Sequence, residues 1–198
     1  MESIGPESKP LEIFEHWMAA AKSISTLREP TAMTVSTVSA SGEIHSRICL
    51  CKQWSEDGFQ FYTNYNSRKG TDLAQNPRAA LLFFWDALFR QVKISGPVEK
   101  LARQESEAYW RTRPRESQLS QYISRQSEPV SSRHQLEAEC RAAEEKFSGQ
   151  EIPCPEHWGG YVVRPVKMEF WIGRPGRLHD RYQFEKTGSI WTFRRLCP

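Results

Sequence analysis

The chain has no apolar run approaching the roughly 18 residues of a membrane span. Its opening MESIGPESKP lacks the apolar core of a secretory leader. Its five cysteines form no C-x-x-C pair and no metal-ligand spacing. An odd count without a leader points to reduced thiols in a cytoplasmic protein. Neither G-x-G-x-x-G behind a strand nor G-x-x-x-x-G-K-[ST] occurs, so the two common phosphate loops are missing. There is also no Ser-His-Asp order, no carboxylate pair and no metal-binding histidine pair, which leaves hydrolase and metalloenzyme readings without support. The net charge of +3 is too small for bulk nucleic-acid binding. Any anion site must therefore come from local clustering.

What is present is an ordinary globular composition, 38% hydrophobic and 26% charged over 198 residues, which sets the expectation of one domain spanning 1–198. In PLEIFEHWMAAAKSISTL, Leu11, Phe14, Trp17, Met18, Ala21 and Ile24 recur at helical steps behind Pro10. The period then changes to two. TAMTVSTV, IHSRICLCKQW and FQFYTN read as a three-stranded meander with turns at SASG and SEDG. Ser67 is the expected cap of a short helix through RKGTDLAQ, which Asn76-Pro77 ends. AALLFFW and RQVKISGPVEKL add two strands. Residues 102–147 form a helical block broken at Pro114 and Glu128-Pro129, and WGGYVVRP, VKMEFWI, RYQFEK and SIWTFRRL return to strand. Eight or nine strands and four or five helices, with hairpins on both sides of the block, predict an α+β, mainly antiparallel barrel with peripheral helices.

Four basic clusters offer anion sites. AYWRTRPRESQLSQYISRQS holds Arg111, Arg113, Arg115 and Arg125 against one carboxylate, Glu116. Within it, Tyr109 and Arg113 are four apart on a helix that Pro114 ends, and the following turn carries Ser117. A phenol, a guanidinium fork and a hydroxyl suit a phosphate ester, with a solvated arginine-rich face as the open alternative. In RICLCK, Arg47 and Lys52 have opposite strand parity, so they point to different faces or to different ends of one site, and the apolar residues between them look like core. In YTNYNSRKG, Arg68 and Lys69 stand at a helix N-terminus, where cations oppose the macrodipole unless an anion is bound there. In WIGRPGRLHDRY, an extended RLHDR puts Arg177, His179 and Arg181 on one face. Several anion sites without a protein nucleophile imply that a phosphorylated cofactor supplies the chemistry.

RICLCK, FYTNYNSRKG, FRQVKISG, RPRESQ, SRQS, WGGYVV, EFWIGRPGRLHDR and RRLCP, in this order from about Leu11 to Pro198, closely resemble the pyridoxamine/pyridoxine 5′-phosphate oxidase family. The resemblance implies a split β-barrel homodimer with FMN at the subunit interface. It implies FMN contacts from Arg47, Ile48, Cys49, Leu50, Cys51 and Lys52, from Tyr62 and Thr63, and from Arg68 and Lys69, completed by Gln91, Gln126, Ser127, Trp171 and Arg181. The substrate phosphate would meet Lys52, Tyr109, Arg113 and Ser117. Arg177, Leu178 and His179 would face the pyridine ring, with Arg177 and His179 as catalytic residues. Strand-edge aromatics such as Trp85 and Trp171 would be covered in the dimer.

The implied reaction is oxidation of pyridoxamine or pyridoxine 5′-phosphate to pyridoxal 5′-phosphate, the last step of vitamin B6 cofactor synthesis and salvage. O₂ would be the acceptor, H₂O₂ would be released, and the amine would yield NH₃. The chain departs from the family pattern in the nine residues before Pro10, where a basic arm is usual, and in Cys49, Cys51 and Cys197. The rival expectations are a related split-barrel oxidase of a phenazine precursor and a non-catalytic flavin- or pyridoxal-phosphate-binding protein.

Overall fold

The computed structural model describes residues 4–198; residues 1–3, the start of the segment read as leaderless, lie outside the described residues. Helix α1 (Pro10–Lys22) opens on its proline and buries Ile13, Phe14, Trp17, Met18 and Ala21 along one stripe. It stops two residues short of the expected isoleucine at 24, because Ser23 caps the end and its hydroxyl donates to Ala20 O at 2.7 Å. Strands β1 (Ala32–Val38) and β2 (Ile44–Leu50) form a hairpin, and β5 (Arg78–Trp85) pairs with the other edge of β1. β6 (Arg90–Lys100), β8 (Lys167–Ile172), β9 (Asp180–Thr187) and β10 (Ile190–Leu196) extend that sheet in the order β10-β9-β8-β6-β5-β1-β2, and every pairing is antiparallel.

The expected meander is interrupted. β2 ends at Leu50, and a separate short strand, β3 (Gln53–Ser55), pairs with β4 (Gly58–Asn64) instead. The handover takes two residues: Cys51 N–H still donates to Thr31 O, whereas Lys52 N–H donates to Gln60 O on β4, both at 2.9 Å. β4 then pairs with β7 (Trp158–Val163), which returns to the last third of β6. β6 thus serves both sheets, and Gly96 marks the change. A side chain there would collide with the carbonyl oxygen of Arg164. The result is a curled sheet split between β2 and β4, with ten strands and five α-helices among the described residues.

Alternation fills the barrel: Met33 and Val35 from β1, Leu81, Phe83 and Trp85 from β5, and Val92 and Ile94 from β6 are all buried. α1 closes this core through Phe14, which packs edge-on against Trp54, Phe59 and Phe83 with ring centroids 4.9–5.5 Å apart. Trp85 is not the exposed aromatic the sequence implied. It is 2% exposed, and its indole N–H donates to Pro30 O; the apolar side chains left open include Ile44 and Ile48 on β2, Phe84 and Phe89. A second core joins α3 (Arg103–Thr112), α4 (Arg115–Ile123) and α5 (Arg133–Lys146) to β7 through Trp110, Leu119, Ala143, Phe147 and Trp158.

Phe14→Ala should empty the centre of this packing and lower unfolding stability by about 3–5 kcal/mol. Urea denaturation of the ligand-free protein checks it; a loss within error of zero would show that α1 does not close the core.

Candidate active site

A cleft of about 630 Å³ opens along the split, walled by β2 on one side, by β4 on the other, and by α3, α4 and the loop after α4. Arg47, Ile48, Cys49, Leu50 and Lys52 all line it, as do Tyr62 and Thr63. β2 is an edge strand at the split, so its consecutive residues reach the cavity. Strand parity would still turn Lys52 away from Arg47 if the strand continued, yet both line the cleft. This is possible because the strand ends at Leu50 and Lys52 belongs to the next ladder. Ile48 is 65% exposed rather than core, and it is Cys51 whose side chain turns inward, donating to Gln53 O. Arg47 is fixed by Nη1 donations to Val35 O at 3.0 Å and Thr37 Oγ1 at 2.8 Å.

Helix α2 (Arg68–Gln75) points its N-terminus at the cleft. Ser67 occupies the cap position, but its hydroxyl does not cap. It donates back to Asn64 O at 2.7 Å and accepts from Lys69 Nζ at 3.1 Å. The helix start is set by contact: Gly70 lies so close to Tyr65 that a side chain would strike the Tyr65 carbonyl. Lys69 is 7% exposed, and its ammonium donates to Thr63 Oγ1, Ser67 Oγ and Gln126 Oε1 at 3.0–3.2 Å. All three partners are neutral. Burial pushes this ammonium below its ordinary pKa, and the nearby Arg47 charge pushes the same way. The loop that carries Gln126 is tied down by Asn64 Nδ2, which donates to Ser124 O, and by Ser127, which adopts φ 76° and accepts from the Arg68 N–H. Thr63, Arg68, Lys69, Gln126 and Ser127 are thereby one constellation.

The second constellation is aromatic. Tyr109 stacks on Tyr62 with centroids 3.9 Å apart, and both rings lie nearly parallel to Trp158. Burial raises the Tyr109 phenol and lifts Tyr62 to about 12, so both are neutral donors at pH 7. α3 stops at Thr112, so Arg113 is not on the helix face with Tyr109; it is the extended residue that caps the helix end. Ser117, expected in a turn, sits in the first turn of α4. The fork is nevertheless delivered to the cleft. Arg113 lies 4.9 Å above the Trp158 ring, its Nη2 donates to Ser117 O at 3.3 Å, and its buried Nε finds no partner. Burial lowers its pKa also. Trp158, Gln121 and Pro114 line the cleft as well, and the sequence alone places none of them in the site; Trp158 reads as an ordinary core residue of WGGYVV.

The remaining assigned residues lie elsewhere on the subunit. Gln91, Trp171 and Arg181 stand opposite one another on β6, β8 and β9, which lie three, four and five strands away from β2 across the sheet. His179 packs on Trp171 with ring centroids 4.7 Å apart. RLHDR is not extended: Arg177 closes a tight turn at φ 62° and β9 begins only at Asp180, so the shared face of Arg177, His179 and Arg181 does not form. His179 Nδ1 accepts from the Arg174 N–H at 3.1 Å, which leaves the proton of the neutral ring on Nε2. Arg181 pairs with Glu169 at 2.9 Å, and Arg177 and Leu178 are exposed.

A lysine with a lowered pKa costs stability below that pKa, and the cost vanishes above the unfolded value, an ordinary 10.5. Ligand-free wild type should therefore gain stability relative to Lys69→Met as pH rises from 7 towards 10.5. Urea midpoints across that range test this; a constant gap would mean that Lys69 is not desolvated.

Comparison with known proteins matches this architecture along nearly its whole length. The family profile described as pyridoxamine 5′-phosphate oxidase covers residues 20–147, and that described as the pyridoxine 5′-phosphate oxidase C-terminal dimerisation region covers 158–198. Proteins named pyridoxine/pyridoxamine 5′-phosphate oxidase are 48% identical in Hydrogenovibrio crunogenus, over 97% of this chain and 89% of that one, and 49% identical in Leptospira biflexa, over 96% and 89%. Among solved structures, PhzG from Burkholderia lata, in complex with tetrahydrophenazine-1-carboxylic acid, is 30% identical at a TM-score of 0.91, covering 100% of this chain and 99% of that one. A pyridoxamine 5′-phosphate oxidase-related, FMN-binding protein from Nostoc punctiforme, 16% identical over 98% and 100% of the two chains at a TM-score of 0.75, shares the fold. The chain belongs to the pyridoxamine 5′-phosphate oxidase family.

Proposed function

We propose that the protein is an FMN-dependent oxidase that converts pyridoxine 5′-phosphate and pyridoxamine 5′-phosphate to pyridoxal 5′-phosphate, working as a homodimer. The observation that carries this reading is a pair of desolvated cations in one cleft, Lys69 and Arg113, neither with a carboxylate partner among the described residues. Two such charges call for two anions. The Lys69 constellation, with the free N–H groups of α2 and the Arg68 and Arg47 guanidiniums, suits the FMN phosphate. Arg113, with Tyr109, Ser117 and Lys52, suits the phosphate of the vitamer. FMN held there would supply two-electron chemistry, the two electrons and two protons lost by the substrate ending on O₂ as H₂O₂.

This chain's own residues then act by position and charge. The substrate phosphate is held away from the reacting carbon, so its binding energy orients that carbon rather than merely raising affinity. The neutral Tyr109 phenol donates to the phosphate without adding charge. Gln91, Trp171 and Arg181 would complete the flavin site, and Arg177, Leu178 and His179 the pyridine site, from the partner subunit. Their distance from the cleft within one chain and the match to a dimerisation region support this arrangement. His179 Nε2–H would then be free to donate at the substrate's reacting substituent. The likeness to PhzG favours a second substrate class, a phenazine carboxylic acid without phosphate. Its planar carboxylate would suit the Arg113 fork but offers fewer acceptor oxygens than a phosphate to Tyr109, Ser117 and Lys52 together.

Peroxide release from pyridoxine 5′-phosphate tests the reading directly, with acid-released FMN as its companion; activity on a dihydrophenazine acid alone would replace it. Arg113→Ala should lower kcat/KM for the phosphorylated vitamer by roughly ten- to a hundredfold, the value of one charge-assisted hydrogen bond, while changing it little for free pyridoxine. Equal losses on both substrates would assign Arg113 to the fold or the flavin. The shared site has its own check. Mixed dimers of Arg113→Ala and Arg177→Ala keep one intact site when the two residues come from different subunits, so random mixing of the impaired variants at low substrate concentration should raise activity to about a quarter of the wild-type value. No recovery, with mixed dimers shown to form, would place both residues in one subunit's site.

A further inference from the structure

We propose that Asp72 is a positioning residue for Arg47, acting through the Thr37 hydroxyl, and that this relay sets the protein's affinity for FMN; the inference rests on the reading of Arg47 as part of the flavin cradle. Arg47 lies on β2, the edge strand at the split, where a long side chain has several rotamers open to it. One guanidinium nitrogen is held by two acceptors from β1, Val35 O and Thr37 Oγ1. A hydroxyl has one proton and turns to suit its surroundings. Thr37 is fully buried, and its proton goes to Asp72 Oδ2 at 2.6 Å, which turns an oxygen lone pair towards Arg47.

The carboxylate itself is 2% exposed and held in place. His45, which faces Thr37 across the β1–β2 ladder, donates to it from Nδ1 at 3.0 Å, with Glu43 3.5 Å from the other ring nitrogen. Arg47 Nη2 lies 4.0 Å from the same oxygen. Thr37, His45 and Asp72 line no part of the cleft. Asp72 stands one turn after Lys69 on α2, so a single helix places Lys69 directly and Arg47 through the relay. The two cations repel each other, and the relay keeps Arg47 in the cradle against that repulsion.

Charge and geometry make opposite predictions. Removing a carboxylate beside an anion site strengthens anion binding by Coulomb's law, whereas releasing Arg47 weakens it. The experiment titrates flavin-free protein with FMN by fluorescence quenching and follows the thermal midpoint of the flavin-free forms in parallel. Thr37→Val keeps the shape and removes the relay, and should weaken FMN binding about tenfold. Thr37→Ser keeps the hydroxyl and should bind like wild type. Asp72→Asn should bind several-fold more weakly. Tighter binding by Asp72→Asn overturns the proposal, as does Thr37→Val that binds like wild type. Equal losses in Thr37→Val and Thr37→Ser that follow a lowered thermal midpoint would show a packing role instead. Arg47→Ala separates the premise from the inference: unchanged FMN affinity there removes Arg47 from the cradle, and the relay with it.

Discussion

The functional architecture depends on one backbone constraint, the transfer of the chain between ladders at Cys51 and Lys52. A strand that continued through both residues would alternate its side chains to opposite faces and would lie flush against β4. Because Cys51 hydrogen-bonds backwards to Thr31 and Lys52 forwards to Gln60, the sheet parts there. The parting exposes consecutive residues of β2 to a cavity and sets Tyr62 and Thr63 of β4 across from them. The small core of α3, α4 and α5 then roofs the opening, with Trp158 shared between that core and the cavity wall.

The electrostatics follow from the same parting. A nearly neutral protein concentrates cations in a place where their usual partners are withheld. Its carboxylates are spent elsewhere: Glu169 on Arg181 and Lys93, Asp180 on Arg174 and Arg195, Glu139 on Arg125. Lys69 and Arg113 are left with neutral acceptors or none, and both have lowered pKa values because of burial. This is a preorganised field, its desolvation cost met at folding rather than at binding.

Much of this was legible in the chain. Period-two alternation located the long strands, and Pro114 and Pro129 bounded the helices. Lysine and arginine at the start of α2, where cations oppose the helix dipole, drew attention to a segment that does line the cleft. Other features were not local enough to read. Parity placed Arg47 and Lys52 apart because nothing in RICLCK announces a strand end. Ile48 looked like core because exposure at a sheet edge depends on what lies beyond it. RLHDR looked extended, yet its turn is set by Gly176 and a positive φ at Arg177, a conformation unusual for arginine. The Ser67 cap failed for a tertiary reason, since its hydroxyl is claimed by Asn64 and Lys69.

The pairing of β4 with β7 also governs the order in which the protein takes shape. Phe59 faces Val163, partners roughly a hundred residues apart, and closing so long a loop is the entropically slow kind of step. The β1–β2 hairpin and the β5–β6 hairpin need only neighbouring chain. The edge that bears Arg47 can therefore form early, while the opposite wall, with Tyr62, Trp158 and the roof that holds Arg113, waits for the helical block to fold and return. A nascent chain would have half a binding site for as long as that remote closure takes.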